Sequence, residues 1–460
     1  MTRLQHVALV YLAVVVGAAG IAMAVTPTPA PTGIDNRTAD TATATQAQHI
    51  ADQATFEERD EIDKGLGPVF NMKACSDCHQ HPVIGGISQV AELRAGSISG
   101  NVFTPASVTI NLLGPGGPVT IAGRSLINQE AICPAVIVDA GGIPVFNFPN
   151  TDAHERIGTD SINDTVRSLR TTTNILGDGF VEAITDATLL GITATQRATP
   201  AGTVGTSFHP ASIGGVNQSA GENTIVDLAE RAGFTRVGRF GWKSQLASLV
   251  SFAGAAYLNE MGITNRINPH EVTGDGALCD TVADPEDVDD DVTTFARFMR
   301  TTMPQSRDAA RAATTDAQVG STVFNQIGCA FCHTRSITTA PAGTVFPGVD
   351  NSHTPGVNLV VTAAMGDKII HPFSDFAIHD VHPDFIGDTQ TGGQPISFRK
   401  TRTAPLWGVR FRPQMMHDGV AETFTEAILA HENEAQFAQS NFLLLSDTLK
   451  AQLIAFLRSL

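Results

Sequence analysis

Basic residues are scarce in this chain: 29 Lys and Arg stand against 46 Asp and Glu, leaving a net charge of -17. That balance argues against nucleic acid or an anionic membrane surface as a partner, since both call for Lys and Arg. Long apolar runs are absent after the first two dozen residues, so the remainder has no segment suited to crossing a bilayer. Cysteine is limited to 6 residues and aromatics to 6%. A dense disulfide scaffold is thereby excluded.

Four of the six cysteines fall into one repeated pattern. Val69-Phe70-Asn71, three residues and Cys75-Ser-Asp-Cys78-His79 recur as Val323-Phe324-Asn325, three residues and Cys329-Ala-Phe-Cys332-His333. CxxCH is the spacing of c-type haem attachment: two thiols one helical turn apart meet the porphyrin edge, and the following His reaches the iron. Two covalently bound haem c groups are expected, with His79 and His333 as iron ligands. A zinc or dithiol site is the alternative reading of CxxC, but it leaves each His unexplained. Cys133 and Cys279 remain, either as a disulfide or as two separate thiols.

Arg3 precedes an apolar run from Val7 to Ile21 that ends at Ala22-Met23-Ala24. This pattern predicts a secretory signal over residues 1–24, with an uncleaved anchor as the alternative. The mature chain is expected to be exported or periplasmic, not membrane-spanning, and to meet a small redox protein as electron donor. Residues 25–50, rich in Thr, Ala, Pro and Gln, read as a disordered leader. A first haem domain is expected over 51–290 and a second over 291–460. The fold class expected is mainly α: two cytochrome c-like haem domains with long irregular loops and a small β-rich insertion in the first. Residues 185–222 read as a surface loop. The acid run from Asp284 to Asp291 lacks the Gly and terminal Glu of an EF-hand and reads as a linker and helix start.

The other face of each iron decides function, because a filled sixth position favours electron transfer and an open one admits a small oxidant. Thr423 and Glu426 form a capping-box pattern, and Phe424, Ala427, Ile428 and His431 share one helical face. His431 is therefore an inward-facing residue, either hydrogen-bonded in a core or ligating.

Several blocks resemble the di-haem oxidoreductase family of peroxidase-type proteins. They are Gly67-Pro68-Val-Phe-Asn71, Arg170 with Gly179-Phe-Val-Glu182-Ala-Ile184, Gly238-Arg-Phe-Gly-Trp242-Lys243, His371-Pro-Phe-Ser-Asp-Phe376, Arg402-Thr-Ala-Pro405-Leu-Trp407-Gly408 and Met416-His417-Asp418-Gly419. The family is more distantly similar to bacterial di-haem cytochrome c peroxidases and to a di-haem enzyme that matures methylamine dehydrogenase. In these relatives a ligand to the second haem follows the His of the His-Asp-Gly block by fourteen residues. The resemblance thus implies His431 as that ligand, with Met415 and Met416 as rivals. For the first haem no distal ligand stands out among His81, His154 and His209, which implies an open iron.

Peroxide cleavage needs a proton-moving group near the open face. The relatives carry a Glu soon after their Trp segment, whereas here no acid follows Trp242 until Glu260. Glu182 is the catalytic candidate in its place, or else a carboxylate answering a helix dipole. Trp242 is either core or an electron relay, and Arg239, Arg399 and Arg402 are either propionate partners or ordinary surface residues. The expected function is reduction of peroxide or a related oxidant, with a non-catalytic electron carrier and a protein-oxidising maturation enzyme as alternatives.

Overall fold

The computed structural model describes residues 25–33, 45–99, 166–199, 219–272, 280–351, 353–382 and 399–460, with short strands between 102 and 157. The signal region, His154, His209, Cys133 and Cys279 lie outside the described residues.

Six helices frame the described cores: α1 (Gln46–Glu57), α2 (Leu249–Ala256), α3 (Asp291–Thr301), α4 (Thr315–Gln326), α5 (Phe424–Leu429) and α6 (Asp447–Leu457). The first core gathers around α3, whose Val292, Phe295, Ala296, Phe298 and Met299 are buried on one face. Helix α1 lies against it, with Phe56 packed on Phe295 and Phe298. Arg297 of α3 grips Asp52 of α1 through two bonds of 2.6 and 2.7 Å. Helix α3 opens where the sequence suggested a second domain, yet its apolar face belongs to the first core. Asp287 accepts the N–H groups of Asp291 and Val292, and Thr264 donates to Asp284 and Glu286. The acid run thus caps α3 and holds a turn.

The second core is built on α4 and α6, each capped by a hydroxyl: Thr314 accepts from the Ala317 N–H and Ser446 from the Leu449 N–H. Their crossing is close because Gly320 has no side chain. A Cβ there would lie 1.9 Å from the Gln452 carbonyl oxygen.

The expectation of a mainly α chain is overturned: 34% is helix and 18% strand, in several small sheets. With 42 Gly and 24 Pro the chain between helices is repeatedly broken, and its β-branched runs pair instead. The largest sheet sets Ala91–Ser99 antiparallel to Val166–Thr171, with Val102–Pro105 and Leu126–Ile127 also paired to it. Its register places Arg170 opposite Glu92. Two further expectations change. Within the supposed leader, Thr28–Pro29 pairs in parallel with Lys368 and Ile369, because an extended Pro-flanked backbone needs little ordering to serve as an edge strand. Within the supposed loop from 185 to 222, Asp186–Ala198 is a helix capped by Thr185, with Leu189 buried.

Among the described residues no helix is long and apolar enough to cross a membrane.

Candidate functional site

Helix α4 ends at Gly328, whose φ of 98° turns the chain so that Cys329–Phe331 forms a tight 3-10 turn. His333 follows, and its Nδ1 donates to the Phe373 carbonyl at 2.8 Å. Across the cavity His431, just past α5, donates from Nδ1 to the Ala427 carbonyl at 2.6 Å. A carbonyl only accepts, so both rings carry the proton on Nδ1 and keep a lone pair on Nε2. Burial holds the His333 imidazole down at about 4 and lowers His431 as well. Both are neutral, as metal ligands must be.

The two ring centroids stand 6.4 Å apart. One metal between the two Nε2 atoms, at about 2.0 Å from each, requires about this separation. The cavity encloses about 1310 Å³ of empty space, part of it open to solvent, lined by Phe324, Leu406, Val409, Ile428, Leu453 and Leu457 beside Cys329 and Cys332. An apolar slot of this size with two thiols at its edge and two imidazoles across it fits a haem. Met415 and Met416 line the same cavity, and the imidazole of His431 is the ring that faces His333.

The first motif makes a single helical turn, Cys75–Cys78, with Phe56 on the near side of the His79 ring at 6.1 Å. His79 Nδ1 donates to the Gly86 carbonyl at 3.1 Å, and burial again holds the ring neutral, at about 4. This site also fits a haem, but its cavity differs in kind. It spans about 910 Å³ of empty space, part of it open to solvent, and among the described residues its lining holds no Met, no Tyr and no His besides His79. Charged and polar groups converge instead: Glu92, Arg94, Arg170, Gln245, Asn259 and Glu260.

Glu92 is bound by Arg94 through two bonds of 2.9 Å, with Arg170 at 3.8 Å. These cations and a hydrogen bond with Glu260 outweigh burial and keep Glu92 ionised. Glu260 accepts from Asn71 Nδ2 at 2.6 Å, while burial and the adjacent Glu92 push its carboxyl up to about 8. The pair holds one proton between two carboxyl groups at neutral pH. Asn71 is itself fixed, its Oδ1 accepting the Gln129 N–H at 3.0 Å. In sequence Glu260 is the first acid after Trp242. Helix α2 and the π-helical turn Tyr257–Met261 bring it back to the cavity that Trp242 also lines. Asn71 lies in the repeated Val-Phe-Asn pattern, which was the available signal.

Glu182 lies elsewhere. It is fully buried, clasped by Arg300 at 2.6 and 3.0 Å, and accepts the Leu249 N–H at 2.7 Å. Burial is outweighed by Arg300, which holds the carboxyl below its ordinary value. Its work is to cap α2 and anchor α3, and it lines neither cavity.

Trp242 borders both cavities and the small cleft between them. Its indole N–H donates to the Thr171 carbonyl at 2.6 Å. Arg402 and Arg412 line the cleft and the second cavity; Arg412 was not foreseen. Arg239 is committed to Asp186 and to the carbonyls of Ile184 and Val237, and Arg399 is exposed. His81 lines the cleft, edge-on to Phe411. Among the described residues the two cysteine pairs do not meet in a four-thiol group, which removes the shared zinc alternative.

A sequence profile of the family described as "Di-haem oxidoreductase, putative peroxidase" matches residues 147–460, a span that begins after the first CxxCH motif. No curated protein matches. Among solved structures, hydrazine synthase of Kuenenia stuttgartiensis, determined under 20 bar xenon, shares 14% identity over 59% of this chain and 92% of its own, with a TM-score of 0.29. That likeness is too slight to inform the fold.

Proposed function

The chain belongs to the di-haem oxidoreductase family, and from that premise we propose that it is an exported di-haem c-type enzyme that reduces peroxide at its first haem. Cys75 and Cys78 hold one haem covalently with His79 as ligand, and Cys329 and Cys332 hold the other with His333 and His431. An iron with both faces filled supplies electron transfer, and one with an open face supplies a binding position for a small oxidant.

The chain's own groups do the rest. A peroxide entering the first cavity meets the Glu92/Glu260 pair, which can take a proton from one oxygen and return one to the other. Asn71 orients Glu260 for this exchange. Arg402 and Arg412 would offer donors to haem propionates, and Trp242 is the side chain through which electrons pass from the second cavity to the first. Electrons arrive from a small redox protein. The signal ending at Ala24 is removed on export.

One observation carries this reading: the two cavities are unequal. His431 faces His333 at 6.4 Å, whereas among the described residues the cavity beside His79 offers an acid pair and no second ligand. Electron paramagnetic resonance of the oxidised holoprotein should show one high-spin and one low-spin ferric haem, with the low-spin signal lost in His431→Ala. Two low-spin haems that fail to turn over peroxide even after partial reduction would sink the proposal and favour an electron carrier.

A further inference from the structure

Aromatic side chains that surrender an electron readily are nearly absent from this chain, which has 24 Phe but two Trp and two Tyr. The few present are not scattered. Trp242 and Trp407 both line the cleft between the cavities. Tyr11 lies in the expected signal, so Tyr257 is the one tyrosine of the remaining chain.

Tyr257 opens the π-helical turn that carries Glu260, an irregularity found mostly at functional positions. It is 4% exposed. Its ring stands edge-on to Phe295 at 5.1 Å, Phe295 edge-on to Phe56 at 6.0 Å, and Phe56 is 6.1 Å from the His79 ring. Packing alone would be served by another Phe, since a buried hydroxyl is costly unless hydrogen-bonded. Here the phenol donates to Asp60 Oδ2 at 3.1 Å.

We infer that Tyr257 is a redox-active tyrosine, which gives an electron to the His79 site when peroxide arrives and no donor electron is at hand, while Asp60 takes its phenolic proton. The inference rests on the peroxide reading above. Conversion of one peroxide to two waters consumes two electrons and two protons, and with a donor present both electrons come through the second site. Without one, the Tyr257 O–H bond breaks: the proton moves to the Asp60 carboxylate, and the electron goes to the His79 site. A neutral tyrosyl radical and a protonated Asp60 remain, and one oxidising equivalent stays at the site until a donor electron arrives.

The surroundings suit this transfer. Burial raises the Asp60 carboxyl to about 6, a better base than an ordinary carboxylate. Burial and the same Asp60 raise the phenol, so its proton leaves only together with the electron. Glu58 and Asp287 stand near Asp60, and their charges add to its raised basicity.

The test is rapid freezing of the oxidised holoprotein with hydrogen peroxide and no donor, read by electron paramagnetic resonance, with peroxide consumption followed in the same samples. The expected radical signal narrows when tyrosine is ring-deuterated, disappears in Tyr257→Phe and falls about tenfold or more in Asp60→Asn. Deuteration leaves the fold untouched, so the assignment does not depend on the variants folding. Peroxide consumed without a tyrosyl signal, or a signal indifferent to deuteration, overturns the inference alone. Absence of peroxide consumption by the oxidised protein overturns this inference, and its absence after partial reduction as well removes the functional reading with it.

Discussion

Replacing Glu182 and Glu260, each by Gln, separates a carboxylate that holds the fold from one that serves the cavity. Glu182→Gln leaves the Arg300 guanidinium buried without its counter-charge and removes one of the two acceptors of a clasp at 2.6 and 3.0 Å. Loss of one partner of a buried ion pair costs about 3–5 kcal/mol. For a cooperative unit of a few hundred residues this lowers the thermal midpoint by about 10 °C. Glu260→Gln keeps an acceptor toward Asn71 and removes no counter-charge, because the carboxyl it replaces is already protonated at neutral pH. Its midpoint should stay within about 2 °C, while kcat for peroxide falls by a factor of about 100 or more, the scale of a lost proton-transfer group. The assays are calorimetry of the holoprotein and donor-dependent peroxide consumption. A Glu182→Gln protein with a wild-type midpoint but no activity, beside an active Glu260→Gln protein, would reverse both assignments.

Four other outcomes are expected. Glu260 donates only while protonated, so kcat/KM for peroxide should decline as pH rises through about 8, and a pH profile of Glu260→Gln should lack that alkaline limb. Its raised carboxyl also makes the fold progressively less stable between the unfolded value of about 4.3 and about 8, and constant in this respect above it. Gly320→Ala brings a Cβ to 1.9 Å from the Gln452 carbonyl oxygen and should cost about 1–3 kcal/mol of the second core's stability, measured by denaturant titration. Removing Cys75 and Cys78 together, or Cys329 and Cys332 together, should halve the haem that stays with the chain on a denaturing gel; retention of both would refute thioether attachment at that pair.

What could be read from the sequence was whatever is local. The CxxCH turns, the capping box of Thr423 and Glu426 and the inward face carrying His431 all depend on residues a few positions apart, and each lies in the structure as its spacing implied. The surroundings of the two carboxylates were not legible, for the opposite reason. The Arg300 that claims Glu182 is 118 positions away, and the Glu92 that tunes Glu260 arrives on a distant strand. The mainly α expectation failed likewise, since strands such as Val69–Phe70 exist only by pairing with Glu130–Ala131. A periodicity read along one segment carries no information about such partners.

The clasp between Asp52 and Arg297, 245 positions apart, has a kinetic consequence. The first core lacks a wall until some three hundred residues have emerged, and contacts so remote in the chain form late because their loop must close first. Helices α4 and α6 are nearer neighbours in sequence, so once the whole chain has emerged the second core should form first. During that interval the Cys75–Cys78 turn remains open, which gives an attaching machinery time to reach it before burial. A fragment ending at residue 290 should therefore never acquire a settled first core, even with its CxxCH motif intact.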